Sequence, residues 1–149
     1  MTAPLELSID VACSPEHAFE VWTSRIASWW PRDHTVSGTA DLLVVFEPGV
    51  GGRIYERTAT GDEHEWGQVT GWDPPTRLAY LWYLGRDRDA ATDVEISFVA
   101  NGEAGTRVHI EHRGWERLGE SAEEWRGRNR LGWESLLPYF ESAIEEGAK

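Results

Sequence analysis

Apolar and polar positions alternate from residue 5 to residue 11, with Leu5, Leu7, Ile9 and Val11 on one side, which predicts a strand with one buried face. Ser14-Pro15-Glu16 then supplies an N-cap, a proline at the first helical position and an early acid. Ala18, Phe19, Val21 and Trp22 recur at helical spacing, predicting a short helix that ends near Ser24. Ile26, Trp29 and Trp30 predict a second short helix stopped by Pro31, and residues 32–39 read as a polar loop. Six strands follow over residues 42–47, 53–58, 65–72, 77–84, 91–99 and 106–113, separated by turn sequences such as Pro48 to Gly52, Thr60-Gly61-Asp62, Asp73-Pro74-Pro75 and Asn101-Gly102.

The tail over residues 121–146 changes period. Trp125, Leu131, Trp133, Leu136, Leu137, Phe140 and Ile144 approximate a helical stripe with charges opposite. Gly127 and Gly132 weaken that stripe, and Pro138 kinks it or starts a new turn. One strand, two short helices, six strands and a long C-terminal helix describe an α+β layer fold. No internal repeat or linker interrupts it, so residues 1–149 read as a single domain.

Composition narrows the function classes. The formal charge of −12 leaves no basic run to neutralise phosphates, so nucleic acid is excluded, and an anionic membrane surface with it. Cys13 is the only cysteine and forms no internal disulfide. The first residues lack a basic segment followed by an apolar run, and no stretch is long and apolar enough to span a bilayer, which places the chain in the cytoplasm. Nine tryptophans are the unusual number, because rings of that size either fill a wide core or line a wide pocket.

Ser14-Pro15-Glu16-His17-Ala18-Phe19 with Trp29-Trp30-Pro31 resembles the opening of bacterial proteins similar to the activator of heat shock protein 90 ATPase. Phe46-Glu47-Pro48, Gly51-Gly52-Arg53, Gly67 and Val69 carry the resemblance onward. Pro74-Pro75, Arg77-Leu78, Leu81-Trp82, Thr106-Arg107-Val108 and His112-Arg113-Gly114-Trp115 extend it over nearly the whole chain. The resemblance implies the START-like, Bet v 1-like (SRPBCC) superfamily and its helix-grip fold. In that fold a curved antiparallel sheet of about seven strands wraps a long C-terminal helix around a cavity. The superfamily includes lipid carriers, cyclases, hydrolases, resistance proteins and co-chaperone domains, so it implies a fold more than an activity.

Within such a cavity, strand alternation turns Glu56 inward beside Ile54, and His112 inward beside Val108 and Ile110. A carboxylate and an imidazole in an aromatic cavity can act as acid and base, which makes both catalytic candidates. The alternative is a buried structural pair, or an ion pair with Arg53 or Arg113. Ligand-binding candidates are Trp66, Tyr80, Trp82, Ile96, Phe98, Ile110, Trp133 and Leu137, while Trp22 and Trp30 are assigned to core packing. Trp66 depends on whether a bulge near Gly67 sets its face. No zinc spacing is present, neither metal nor cofactor is implied, and the glycines of residues 49–52 join two strands rather than opening a phosphate-binding helix.

Three functions stay open. The first is binding of a small hydrophobic or aromatic molecule for carriage, sensing or sequestration. The second is a hydrolase, cyclase or lyase using Glu56 and His112. The third is a domain that stimulates a chaperone ATPase, ranked last because the eukaryotic activators carry a further N-terminal domain that this sequence lacks. A homodimer is compatible with all three.

Overall fold

The computed structural model describes residues 2–39, 41–84 and 86–147. The first alternating segment is strand β1 (Leu5–Val11), whose Leu5 and Val11 are buried. Helix α1 (Pro15–Trp22) begins where Ser14 Oγ accepts the His17 amide and buries Ala18, Phe19, Val21 and Trp22. The second short helix predicted from the sequence is only a single 3₁₀ turn, Ile26–Ser28, and a further 3₁₀ turn, Arg32–His34, lies within the predicted loop. Pro31 between them has no amide to donate to a continued helix.

Six strands then run β2 (Leu43–Phe46), β3 (Arg53–Arg57), β4 (Glu63–Asp73), β5 (Arg77–Trp82), β6 (Thr92–Asn101) and β7 (Gly105–Arg113). All neighbours are antiparallel, in the spatial order β1-β7-β6-β5-β4-β3-β2. The first two strands therefore stand at opposite edges, and α1 with its following turns bridges between them. The turn at residues 48–52 needs left-handed backbone at Gly49 and Gly51, with φ of 85° and 91°.

The inner face follows the period of two. Leu78 and Tyr80, then Val94, Ile96 and Phe98, then Val108 and Ile110 are all essentially inaccessible to solvent. Trp66 departs from simple alternation. Pairing passes from Ile54 opposite Gly67 to Tyr55 opposite Glu65, so Trp66 is the extra residue of a β-bulge and turns inward although Val69 is inward too. Gly67 beside it has no room for a Cβ, which would meet Leu81 O at 2.2 Å.

A 3₁₀ segment (Trp115–Ser121) leads into helix α2 (Ala122–Gly147). This helix continues through Pro138, and it packs Trp133, Leu136, Leu137, Phe140 and Ile144 against the sheet and α1. Leu131 corrects the predicted stripe: it is 68% exposed and points away from the core. The result is the α+β helix-grip architecture, a curled seven-stranded sheet closed by one long helix. No helix among the described residues is long and apolar enough to cross a membrane.

Candidate functional site

A cavity of about 240 Å³ opens between the end of β5, the 3₁₀ turns after α1 and the first half of α2. Its apolar wall is made of Trp30, Trp82, Leu84, Trp125, Trp133 and Leu136. Its polar wall is Asp33, His34 and Thr35 on one side, with Arg86, Arg128 and Asn129 on the other. The rings continue behind the wall as one aromatic array. Trp30 lies 5.1 Å from Trp66 and 5.9 Å from Trp82, Tyr80 lies 5.8 Å from Trp82, and Trp22 stacks on Trp133 at 5.9 Å. The first three of these pairs are tilted by 37°, 55° and 59°, so the array offers polarizable ring faces and edges against which an aromatic molecule can pack.

His112 stands directly behind Trp133 and is fully buried. The Trp133 indole donates to His112 Nδ1 at 3.0 Å, and an indole nitrogen only donates, so the neutral ring carries its proton on Nε2. That Nε2 lies 2.6 Å from Thr92 Oγ1, which donates onward to Trp82 O at 3.3 Å. The ring also lies against Trp115, tilted by 39° with centroids 4.3 Å apart. Burial, and next the charge of Arg86, pull the His112 pKa down to about 3. Both nitrogens are thus engaged, in a relay that orients the Trp133 ring and holds the Trp82 backbone.

Glu56 is equally buried and fully partnered. One carboxylate oxygen accepts the Val36 amide at 2.5 Å and the Trp66 indole at 2.8 Å; the other accepts the Ser37 amide at 2.9 Å and the Ser37 hydroxyl at 2.6 Å. Burial alone raises a carboxyl pKa, but these donors outweigh it and hold Glu56 below its usual value. The carboxylate therefore ties the segment after the Arg32–His34 turn to Trp66, and so positions the cavity's polar wall from behind.

The structure does not bring Glu56 and His112 together: β4, β5 and β6 lie between their strands. Neither makes the ion pair considered from the sequence, since Arg53 pairs with Glu47 and Glu63, and Arg113 with Glu95 and Glu111. Of the eight ligand-binding candidates, Trp82 and Trp133 line the cavity. Trp66, Tyr80, Ile96, Phe98, Ile110 and Leu137 lie in the closed core instead, where side chains of α1 and α2 pack with those of the sheet. Trp30 is a correction in the opposite direction. Assigned to core packing, it forms part of the cavity wall, with its indole donating to His34 O at 3.0 Å.

Three functional candidates escaped the sequence reading. His34 lines the cavity and meets Asp33 Oδ1 at 3.0 Å through Nδ1, a pair that does not use its Nε2. Arg86 lies over the Trp125 ring at 5.0 Å and donates to Trp82 O, Ala90 O and Thr92 Oγ1. Trp125 contributes its other contact to Arg128, also at 5.0 Å. The proximity of Asp33 and His34 in sequence was a visible signal, but nothing local to Arg86 marked it. Among the described residues no group of histidine, cysteine or carboxylate side chains is arranged to hold a metal ion.

Comparison with known proteins agrees with this architecture. An anthrahydroquino-γ-pyrone synthase, solved in complex with SUM, is 42% identical over 83% of this chain and 84% of its own, with a TM-score of 0.58. The self-sacrificing resistance protein CalC from Micromonospora echinospora is 27% identical over 97% of this chain and 95% of its own, with a TM-score of 0.69. An Hsp90 activator from Plasmodium falciparum shares the fold at 19% identity, with a TM-score of 0.66 over 95% and 96% of the two chains. No curated protein sequence matches. The profile of the family described as activator of Hsp90 ATPase homolog 1-like protein matches residues 12–145. With that match spanning most of its length, the chain belongs to the activator of Hsp90 ATPase homolog 1-like family.

Proposed function

We propose that this protein binds a planar, polycyclic aromatic molecule in the tryptophan-walled cavity at the end of the sheet. The observation that carries the reading is the wall itself: Trp30, Trp82, Trp125 and Trp133 converge on one space of about 240 Å³ with polar groups at its rim. The 42% identity to a synthase of a fused aromatic pyrone supports the same ligand class. In this reading Glu56 and His112 are positioning residues that hold Trp66, Trp82 and Trp133 and the segment carrying His34. Titrating the protein with a hydroxyanthraquinone should quench tryptophan fluorescence saturably, and Trp82→Ala should weaken binding by about tenfold. Absence of saturable quenching would overturn the reading.

The likeness to a synthase and the His34–Asp33 pair favour a second reading, ring closure on the bound molecule. His34 Nε2 would take the proton of an aryl hydroxyl as its oxygen attacks a side-chain carbonyl carbon. The proton returns to the former carbonyl oxygen, and loss of that hydroxyl with an adjacent C–H proton as water then gives the pyrone. An ortho-hydroxyaryl β-diketone tests this: the protein should accelerate its cyclisation, and His34→Ala should lower that rate on the order of a hundredfold. A rate equal to that in buffer removes catalysis and leaves binding, and an undiminished rate in the variant removes His34 as the base.

A further inference from the structure

We propose that Arg86 is an anion-recognition group, and that the molecule held in the cavity carries an ionised oxygen, as a carboxylate or as a phenolate or enolate. The inference rests on reading the cavity as an aromatic-binding site and adds the charge of its occupant. Nine arginines, among them Arg53, Arg77, Arg113 and Arg128, lie within 4.0 Å of a carboxylate. Arg86 has none among the described residues, although the chain carries a net charge of −12. Its hydrogen bonds go to two backbone carbonyls and a threonine hydroxyl, which hold the guanidinium in place without neutralising it. Its neighbour on the wall, Arg128, is already paired with Glu124 at 3.0 Å.

A half-buried cation without a counter-ion is costly, and burial pulls the Arg86 pKa down accordingly. The cost is offset if a bound oxyanion completes the site. Guanidinium geometry favours this, since donors remain after three are used and the planar group is fixed over the Trp125 ring at 5.0 Å. A planar ligand lying against Trp82 and Trp133 would present an edge oxygen toward that group.

Binding of anthracenecarboxylate and of the neutral anthracenecarboxamide, followed by tryptophan fluorescence at neutral pH, separates the alternatives. The carboxylate should bind the wild-type protein about tenfold tighter or more than the amide. Arg86→Gln should abolish that preference, and Arg86→Lys should keep part of it. A hydroxyanthraquinone supplies the other source of charge: a phenolate colour shift on binding, lost in Arg86→Gln, assigns a phenolate or enolate, whereas preference confined to the carboxylate assigns a carboxyl group. Equal affinity for carboxylate and amide in the wild-type protein overturns the inference while the aromatic cavity stands. Failure of both anthracene probes and the hydroxyanthraquinone to bind overturns the cavity reading itself. If Arg86→Gln does not fold, the wild-type ratio and Arg86→Lys decide the matter.

Discussion

Glu56 keeps a charge in the protein interior because donors from Val36, Ser37 and Trp66 surround it. Replacement by glutamine keeps the shape but turns an –NH₂ group toward amides that themselves donate. Glu56→Gln should therefore cost about 2–3 kcal/mol of stability. The check is the urea midpoint with an unchanged dependence on denaturant; a loss below about 0.5 kcal/mol would contradict the anchoring role. The inward direction of Glu56 and His112 was legible because strand side chains alternate. Their partners were not, because Ser37 and Trp133 lie 19 and 21 residues away along the chain and reach them only through tertiary packing.

At the level of elements, α2 supplies both core and cavity. Its Phe140 is buried in the aromatic cluster, while Gly132, one turn away from Leu136, stands at the cavity wall. A Cβ built on Gly132 meets no atom within 4 Å. Gly132→Ala should thus stabilise the helix by about 0.5–1 kcal/mol, since helix propensity improves without a clash. Gly132→Phe should fill the cavity and reduce hydroxyanthraquinone binding at least about tenfold while the thermal midpoint holds. Unchanged affinity in that variant would place the ligand elsewhere. The helical period of the tail marks α2 but not the dual use of its face: Leu131 fits the stripe and is exposed, whereas Gly132 breaks it and borders the site. Similarly, β4 was visible as a strand, but the bulge that turns Trp66 inward follows from how its register meets β3.

Across the whole molecule, acid should unfold the protein through groups that the fold keeps from protonating. His112 lies at about 3 in the fold against an ordinary 6.5, so the unfolded chain alone gains this proton as pH falls between those values. The contribution is whole above about pH 6.5 and drains away down to about pH 3. Glu56, held below its ordinary 4.5, adds a further loss that begins as pH falls below that value and is complete once pH has passed its lowered folded pKa. Between pH 7 and pH 5 the His112 contribution should be about 2 kcal/mol, and His112→Asn should flatten most of that slope in urea denaturation. An identical slope in both proteins would contradict a neutral, buried imidazole. At this scale the net charge of −12 says nothing of the cavity, whose wall carries two arginines.

Sequence by itself determined the order of elements, the inward faces of the strands and the family, because periodicity and turn residues act over a few neighbouring positions. Trp82 and Trp133 were legible as candidates on that basis. Only the tertiary structure decided where space remains. Packing around α1 and α2 buries Tyr80, Ile96, Phe98, Ile110 and Leu137, with Phe19 of α1 against Phe98 and Trp22 of α1 against Phe140 of α2. A gap remains between the end of β5, the 3₁₀ turns and the first half of α2, and there Arg86 meets Trp30 and His34 from a distant part of the chain. A cavity is what close packing leaves over, and no local pattern along the chain encodes it.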